Sequence, residues 1–379
     1  MHITESIEQS FSVPYRYKLH FTEALFDQKN PLLDQVIAGN GESKVSKVFF
    51  VIDGGVADAH PNLEQKVRDY CMAYPWIQFR GSMTVMGGEQ VKNEAVPLEG
   101  VLKAINDNNI CRHSFVAVIG GGAVVDMVGY ACAIAHRGVK LLRIPTTVLA
   151  QNDSAVGVKN SINYFGKKNF LGTFAPPFAI INDRSFLTTL EQRDWVSGIA
   201  EAIKVALIKD VDFFVELERT AKKLRERDME SMQYLIYRCA ELHMHHIAQG
   251  GDPFESGSSR PLDFGHWAAH KMEHMTQYSI RHGEAVAIGM AIDLTYAQLI
   301  GLISENTLGR ILTVMEEMGF SLKLPIQVDR IETLLQGIEE FREHLGGRLT
   351  ITLISDIGSK HDVHEIDMEV MKSAITTFL

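Results

Sequence analysis

Three histidines and a glutamate are the residues in this sequence most suited to metal chemistry. His266 and His270 are four positions apart in HWAAH, so a helix would place both on one face. Glu201 lies in the apolar segment GIAEAIKVAL, and His282 begins the run HGEAVAIGMAID. Two histidines and a carboxylate around an open position suit a catalytic Zn²⁺ or similar cation. The residue types therefore indicate a divalent-metal site, and chance spacing on three apolar helices is the alternative.

A lysine and a histidine run extend this set. Lys204 follows Glu201 by three positions and would share its helix face. The run His243, His245 and His246 has no periodic partner. It fits either a solvated helix face or a helix with one histidine lining a cleft.

A glycine turn with an acid nearby indicates a dinucleotide site. The segment IGGGAVVD, residues 119–126, follows an apolar run and opens a helix, where backbone amides can approach a diphosphate. It departs from the GxGxxG pattern, so a plain strand-to-helix turn is the alternative. Asp53 ends another apolar run and could hold a ribose hydroxyl or cap a helix. Together the two features favour a nicotinamide dinucleotide.

Cations and polar side chains gather in DSAVGVKNSINYFGKKNFLG, residues 153–172. They are Asp153, Lys159, Lys168 and Asn169, and Arg137 and Arg260 occur in other segments. Cations around glycine turns in an acidic protein suggest a phosphorylated small substrate. For any single lysine, a solvated hairpin is the simpler interpretation.

The elements that must position these residues alternate between strand and helix in the first half of the chain. Strands are predicted in 46–53, 76–88, 139–147 and 178–190, a helix in 89–107, and a strand, glycine turn and helix in 114–135. This alternation predicts a parallel, Rossmann-like sheet covered by helices. From about Glu191 the patterns are helical, with strand character only in 348–358. We therefore predict an α/β NAD-binding domain over 1–188 and a mostly α-helical metal- and substrate-binding domain over 189–379, with the site in the cleft between them.

Composition excludes several classes of protein. The 379 residues are 46% hydrophobic with a formal net charge of -10, which argues against nucleic acid or anionic membrane as partner. The opening MHITESIEQS has no apolar signal region, and no apolar run is long enough for a membrane span. The four cysteines form no CxxC pair, which predicts reduced thiols and a cytoplasmic protein.

Six segments in order make the sequence similar to a known family. They are GGGAVVDMVGYACAIAHRG, RIPTTVLAQNDSAVGVKNSIN, GKKNFLGTFAPP, GIAEAIK, RPLDFGHWAAH and HGEAVAIGM, over about residues 85–292. On these the chain resembles the sugar phosphate cyclase superfamily, whose best-known member is 3-dehydroquinate synthase. The ends of the chain fit this pattern more loosely.

The resemblance implies bound NAD, a divalent metal (Zn²⁺ or Co²⁺) and a homodimer. It carries the metal ligands onto Glu201, His266 and His282. The implied NAD contacts are Asp53, Glu89, Lys92, Gly121, Gly122, Asp126, Thr146, Thr147, Lys168 and Thr189. The implied reaction-centre residues are Asp153, Lys159, Lys204 and His270. The implied substrate contacts are Asn169, Arg260 and Arg137, the last reaching a neighbouring subunit's site.

The implied reaction is a phosphate-eliminating cyclisation, which makes the enzyme a carbon–oxygen lyase. A substrate alcohol is transiently oxidised by NAD, phosphate leaves by β-elimination, the ketone is reduced again, and an aldol step closes a carbocycle. Lysines beside the metal would stabilise the developing oxyanions.

Three departures from 3-dehydroquinate synthase bear on the substrate. Asp263 stands in PLDFGH where that enzyme has asparagine, and His246 stands where it has a lysine fourteen residues before the matching arginine. Near the C-terminus, Arg342 and His344 replace a paired-lysine segment. Losing that lysine and adding a carboxylate disfavour a carboxylated substrate. The segment PLDFGHWAAHK is more similar to the branch that converts sedoheptulose 7-phosphate to C7 cyclitols of the valiolone type. We expect Asp263 to be catalytic and His246, Arg342 and His344 to bind substrate.

Three other functions remain open on the sequence. A diverged 3-dehydroquinate synthase could use protonated His246 in place of the lysine. A metal-dependent alcohol or glycerol dehydrogenase shares this architecture, although a simple polyol needs no phosphate pocket. A binding or assembly protein could keep the fold without turnover, although such a relative would be expected to have lost part of the metal set or Lys204.

Overall fold

The computed structural model describes residues 6–39, 45–251, 253–254 and 261–379, with the side chain of His344 outside the description. The strands are β1 (Lys18–Thr22), β2 (Ser46–Asp53), β3 (Ile77–Val85), β4 (Phe115–Gly120), β5 (Lys140–Pro145), β6 (Lys159–Tyr164), β7 (Lys167–Phe174), β8 (Ala179–Asp183), β9 (Ile351–Asp356) and β10 (Ser359–Val363). The helices are α1 (Leu32–Ala38), α2 (Gly54–Ala59), α3 (Leu63–Ala73), α4 (Ala95–Asp107), α5 (Gly122–Ile134), α6 (Gln192–Ser197), α7 (Ile199–Lys209), α8 (Val211–Arg225), α9 (Met229–Gln249), α10 (His266–Met275), α11 (His282–Leu299), α12 (Glu305–Glu317), α13 (Ile331–His344) and α14 (Met368–Thr376).

A parallel sheet in the order β1-β8-β5-β4-β2-β3 forms the centre of the N-terminal part. Its central strands are apolar along their whole length because both faces are covered. In β2, Phe50 and Ile52 pack into one core cluster, whereas Phe49 and Val51 pack into the cluster on the other face. The predicted Rossmann-like α/β fold is therefore confirmed.

The sequence interpretation differs from the structure at several elements. The edge strand β1 is absent from the sequence prediction, since its five residues, KLHFT, are too few for a clear alternating pattern. The run 178–190 is a strand only to Asp183 and continues as a 3-10 turn, Arg184–Thr189. The segment 153–172 contains the antiparallel hairpin β6–β7, and the predicted strand in 348–358 is half of the hairpin β9–β10.

Helices make up most of the chain after α6, as predicted, around one large apolar cluster. Helix α11 is buried around nearly its whole circumference from Gly283 to Ala297, which marks it as the central helix of this part. Helix α10 packs closely on it at two glycines. A Cβ on Gly289 would lie 2.0 Å from the carbonyl oxygen of Gly265, and Gly265 itself has a φ of +78°. This close approach brings the start of α10 beside α11.

Candidate metal and cofactor site

Three helices bring one carboxylate and two imidazoles together. Glu201 on α7, His266 at the start of α10 and His282 at the start of α11 offer ligand atoms that all lie within 4.8 Å of one another. The Nε2 atoms of His266 and His282 are 3.7 Å and 3.6 Å from Oε1 of Glu201. These distances are too long for hydrogen bonds. They are close to the roughly 3.4 Å between ligands of a tetrahedral cation bound at about 2.1 Å.

Both histidines are oriented through their other ring nitrogen. Nδ1 of His266 lies 3.1 Å from the carbonyl oxygen of Phe264, and Nδ1 of His282 lies 3.2 Å from Oε2 of Glu273. When Nδ1 donates to these oxygens, Nε2 of each ring faces Glu201. Burial opposes the charged form of His282, but Glu273 and Glu201 raise its pKa to about 9, so metal binding at its Nε2 would displace a proton. Oε1 of Glu201 is buried and has no hydrogen-bond partner among the described residues. A buried carboxylate oxygen without a partner, facing two imidazole nitrogens, fits a divalent cation.

A lysine beside the carboxylate keeps Glu201 ionised. Burial alone would raise the pKa of Glu201, but the charges of Lys204 and His282 lower it to about 2. Lys204 forms a buried ion pair with Oε2 of Glu201 on the same face of α7. Burial opposes the charged form of Lys204, yet Glu201 and Asp153 raise its pKa. The site therefore holds an ammonium group directly beside the carboxylate.

The turn after β5 adds a second acid to this region. Asp153 lies in the π-helical turn Ala150–Ser154, and Asn152 donates to the carbonyl of Gly198 at 2.7 Å, directly before α7. Nδ1 of His243 on α9 lies 2.9 Å from Oδ1 of Asp153. Burial opposes the ionised form of Asp153, but Lys204 and His243 lower its pKa. One member of the HMHH run thus lines the cleft, as one of the two interpretations proposed.

A fully buried arginine, which the sequence interpretation missed, holds the loop that follows this turn. Arg143 on β5 donates to the carbonyls of Ala155 and Gly157 at 2.8 and 2.6 Å and to that of Lys159 at 3.2 Å. It also donates to Oδ1 of Asn160 at 2.7 Å. Four acceptors around one guanidinium fix the path of the chain between Asp153 and β6. Its position in the run KLLRIP, where the neighbours are apolar, was the available signal.

Glu273 and His270 on α10 lie next to the two histidines of the Glu201, His266 and His282 set. Glu273 on α10 contacts His282, and both of its oxygens lie 3.0 Å from Nζ of Lys168 on β7. The ring of His270 is 5.4 Å from that of His266 and 6.0 Å from that of His282. Desolvation and the nearby charge of Lys168 hold the pKa of His270 well below its usual value, which favours the neutral imidazole. The sequence interpretation did not select Glu273, although it follows His270 by three positions on one helix face.

The glycine turn lies where the sheet changes direction. Strands β2 and β4 are neighbours, and the chain runs outward from them toward opposite edges of the sheet. At their carboxyl ends, Asp53 accepts hydrogen bonds from the backbone N–H of Gly55 at 2.9 Å and of Gly121 at 3.4 Å. A dinucleotide binds at such a switch point in open α/β sheets. Asp53 is also the N-cap of α2, so the capping alternative is realised, and its ribose contact stays a prediction.

The turn leads directly to the metal set. A Cβ on Gly122 would lie 2.5 Å from Oγ of Ser154, the neighbour of Asp153. Glycine therefore allows the start of α5 to touch the turn that carries Asp153. The predicted dinucleotide turn and the Glu201 set form one continuous region.

Several predicted contact residues bond to one another. Buried Lys92 donates to Asp126 at 2.8 Å and to Ser161 at 3.3 Å, and it also contacts Asn169. Glu89 accepts from Asn163 at 3.0 Å. This cluster lies between α5 and the hairpin β6–β7, so the predicted cofactor contacts Lys92 and Asp126 touch the predicted substrate contact Asn169.

The remaining predicted residues lie in several parts of the chain. Thr146 and Thr147 follow β5, and Thr189 ends the 3-10 turn after β8, 2.9 Å from His60. The charge of Asp263 helps to raise the pKa of Lys204. Lys159 is the first residue of β6. Arg137 is exposed at the amino end of β5, about 20 Å from the carboxyl edge. His246 lies one turn after His243 on α9, and Arg342 is exposed and pairs with Glu339. Arg260 and the side chain of His344 lie outside the described residues. The roles of all these residues stay predictions.

Comparison with known proteins places the chain in a family. The family model described as 3-dehydroquinate synthase N-terminal matches residues 82–197, and the one described as 3-dehydroquinate synthase C-terminal matches residues 198–339. The 3-dehydroquinate synthase of Aliivibrio fischeri (strain MJ11) is 35% identical over 289 residues, which are 76% of this chain and 79% of that relative.

Solved structures agree with this placement. The structure of 2-epi-5-epi-valiolone synthase from Streptomyces hygroscopicus subsp. jinggangensis 5008, with NAD+ and Zn2+ bound, is 26% identical with a TM-score of 0.87, covering 98% of this chain and 99% of that chain. A 2-deoxy-scyllo-inosose synthase complexed with carbaglucose-6-phosphate, NAD+ and Co2+ shares the fold, with a TM-score of 0.78 and 21% identity over 95% of this chain and 96% of that chain.

The sheet, the helical part and the cleft residues define the 3-dehydroquinate synthase-like fold class, as predicted. The chain belongs to the 3-dehydroquinate synthase-like family of sugar phosphate cyclases. No helix in the described ranges is long and apolar enough to cross a membrane.

Proposed function

We propose that this chain is an NAD- and metal-dependent cyclase that converts sedoheptulose 7-phosphate to a C7 cyclitol of the valiolone type. In enzyme class it is a carbon–oxygen lyase that eliminates phosphate. The observation that carries the substrate choice is the position of Asp263, whose charge acts on Lys204 beside the Glu–His–His set. A carboxylate there repels a carboxylated substrate and tolerates a sugar phosphate that lacks the carboxylate.

The cofactor assignment rests on donors and on relatives. Glu201, His266 and His282 would hold the metal, and the turn at Gly121 and Gly122 would receive the diphosphate of NAD. The valiolone synthase structure with NAD+ and Zn2+ bound supports NAD and a divalent metal as the two cofactors. When bound, NAD supplies a reversible hydride acceptor, and the metal lowers the pKa of a substrate hydroxyl.

The side chains around the metal set have separable roles in this proposal. Lys204 keeps its positive charge and stabilises negative charge on a substrate oxygen. His270 can accept a proton at a ring nitrogen, since desolvation and the charge of Lys168 lower its pKa and favour the neutral ring. His243 orients the carboxylate of Asp153 within the cleft.

Phosphate recognition is assigned to the hairpin β6–β7 and to a second subunit. Lys159 and Asn169 lie on this hairpin beside the cleft. Arg137, at the far edge of the sheet, would serve the site of a neighbouring chain in a homodimer. His246 lies on the same face of α9 as His243 and would contact the substrate near Asp153.

A second candidate is 3-dehydroquinate synthase itself. It is favoured by the 35% identity to the Aliivibrio fischeri enzyme of that name. In this case His246, when protonated, would pair with the substrate carboxylate in place of the missing lysine. This substrate would have to overcome the repulsion from Asp263.

A direct comparison of substrates tests the proposal. The purified chain, loaded with NAD and Zn²⁺ or Co²⁺, is incubated with sedoheptulose 7-phosphate and separately with the seven-carbon keto acid phosphate of the shikimate pathway. We expect released phosphate and a carbocyclic product with the first substrate and neither with the second. Turnover of the keto acid phosphate alone would establish the second candidate. Net NADH production from glycerol would indicate a dehydrogenase instead.

A further inference from the structure

A carboxylate outside the Glu–His–His set holds one of its histidines. Oε2 of Glu273 lies 3.2 Å from Nδ1 of His282, and Nε2 of His282 faces Glu201 at 3.6 Å. The ring is therefore held from one side by Glu273 and presents its free nitrogen on the other. His266 is held differently, since its Nδ1 contacts the backbone carbonyl of Phe264, two residues earlier. Among the described residues, a side chain therefore orients the ring of His282, whereas a main-chain carbonyl orients the ring of His266.

A lysine from the other half of the molecule fixes Glu273. Nζ of Lys168 on β7 lies 3.0 Å from both carboxylate oxygens of Glu273, although the residues are 105 positions apart in the chain. Glu273 is only 5% exposed and Lys168 is 22% exposed, so solvent screens this pair weakly. The carboxylate is therefore fixed by contacts on two sides.

Another interpretation of these residues is a separate cation site. His270, Glu273 and His282 also offer ligand atoms within 4.8 Å of one another. However, both oxygens of Glu273 already face the ammonium of Lys168. A second cation bound there would have to displace that ammonium and would share His282 with the first. The contacts fit a positioning role better than a ligand role.

We infer that Glu273 is a positioning residue that orients His282 for metal binding, and that Lys168 on the hairpin β6–β7 holds Glu273 in place. This inference rests on the proposed metal site and assigns a role to a residue outside the ligand set. It also connects the hairpin of the α/β part with the metal set. Removing a carboxylate that orients a metal-binding histidine typically costs about 10–100-fold in metal affinity.

The test measures metal affinity directly. Wild-type chain and the variants Glu273→Gln and Glu273→Ala are stripped of metal and titrated with Zn²⁺ against a chelator of known affinity. We expect Glu273→Ala to bind Zn²⁺ about 10–100-fold more weakly. Glu273→Gln should lose less, because its amide oxygen can still accept from Nδ1 of His282. The visible spectrum of bound Co²⁺ should also change in Glu273→Ala, because that spectrum reports the orientation of the ligands.

Two further variants separate positioning from a general loss of structure. Glu340→Gln removes the partner of Lys271, another ion pair made by α10 away from the site, and should leave Zn²⁺ affinity unchanged. Lys168→Met keeps Glu273 but removes the ammonium group that contacts it. The Zn²⁺ affinity of this variant should lie between those of wild type and Glu273→Ala. Thermal unfolding of each metal-free variant shows whether it is folded. If Glu273→Ala is unfolded, the comparison of Zn²⁺ affinity uses Glu273→Gln instead.

The outcomes distinguish this inference from the proposed function. Zn²⁺ affinity within about twofold of wild type in both Glu273 variants would overturn the positioning role and leave the metal site intact. An equal loss in Glu340→Gln would also overturn it, because the effect would then be a general one on α10. A wild-type chain that binds no divalent metal would remove the proposed function, and this inference with it.

Discussion

His243 and Asp153 form a partly buried contact across 90 residues of chain, with Nδ1 of the histidine 2.9 Å from Oδ1 of the acid. The contact links helix α9 to the turn after β5, which also lies against the glycine turn through Ser154. It holds a carboxylate beside Lys204 and the metal set. A histidine without any sequence periodicity thereby becomes part of the cleft.

Loss of this contact should reduce turnover without unfolding the protein. In His243→Phe, the aromatic ring is kept while the nitrogen that faces Asp153 is removed. We expect kcat/KM to fall by about 100-fold, because a small displacement of a catalytic group has effects of this size. Steady-state phosphate release measures the loss, and His245→Phe on the exposed side of α9 is the matched control. Equal activity of the two variants would contradict the role given to His243.

His266→Ala should remove most of the bound metal and most of the activity. The imidazole provides one of three protein ligands, and a site with two would bind Zn²⁺ far more weakly. Metal content after dialysis, measured by atomic emission, checks this expectation. An unchanged metal content in this variant would show that the ligand assignment is wrong.

Asp263→Asn tests the choice of substrate. If the true substrate lacks a carboxylate, this change should lower turnover of sedoheptulose 7-phosphate by about tenfold, which corresponds to about 1.4 kcal/mol of transition-state stabilisation. With the keto acid phosphate, the same variant should turn over at least as fast as wild type, since a repulsive charge has been removed. Parallel assays with both substrates measure this, and unchanged rates with both would undercut the specificity argument.

Lys159→Ala should separate phosphate chemistry from cofactor binding. Lys159 opens β6, where Arg143 holds its backbone carbonyl at 3.2 Å, so the main chain should keep its path in the variant. We expect phosphate release to fall by about 10²-fold, as for loss of one stabilising charge. NAD affinity, measured by fluorescence titration, should stay the same, and its loss would contradict the assigned role.

We expect Asp293 to make the stability of the protein depend on pH. Its carboxylate accepts from Nε1 of Trp267 at 2.8 Å and from the backbone N–H of Gly265 at 3.0 Å, on either side of His266. Burial raises its pKa from 3.8 to about 7, more than these two hydrogen bonds lower it. Between these values the folded chain keeps a proton that the unfolded chain releases, so stability falls as pH rises from about 4 to about 7 and then levels off.

The variant Asp293→Asn should lose this dependence, because the amide does not titrate. Denaturant unfolding of both chains near pH 5 and near pH 8 measures it. The wild-type chain should lose about 1–4 kcal/mol more than the variant between the two conditions. Parallel pH profiles of wild type and variant would contradict the raised pKa.

Features governed by local geometry could be predicted from the sequence. The apolar runs that end in Asp53 and Gly120 specify buried parallel strands because both faces are apolar. Glu201 and Lys204 share a helix face because they are three positions apart, and the same rule joins His266 and His270. These patterns, together with the family resemblance, were enough to predict the fold class and the family. They also selected Glu201, His266 and His282, which the structure brings together.

Contacts between distant elements were decided only by the tertiary structure. The close packing of α10 on α11 at Gly265 and Gly289 sets how near His266 lies to His282, and no spacing rule encodes that approach. The partners of Lys168 and Arg143 likewise depend on which elements the fold places side by side. A side chain's periodicity tells which face of its own element it occupies, whereas its partner across an interface depends on how two elements pack.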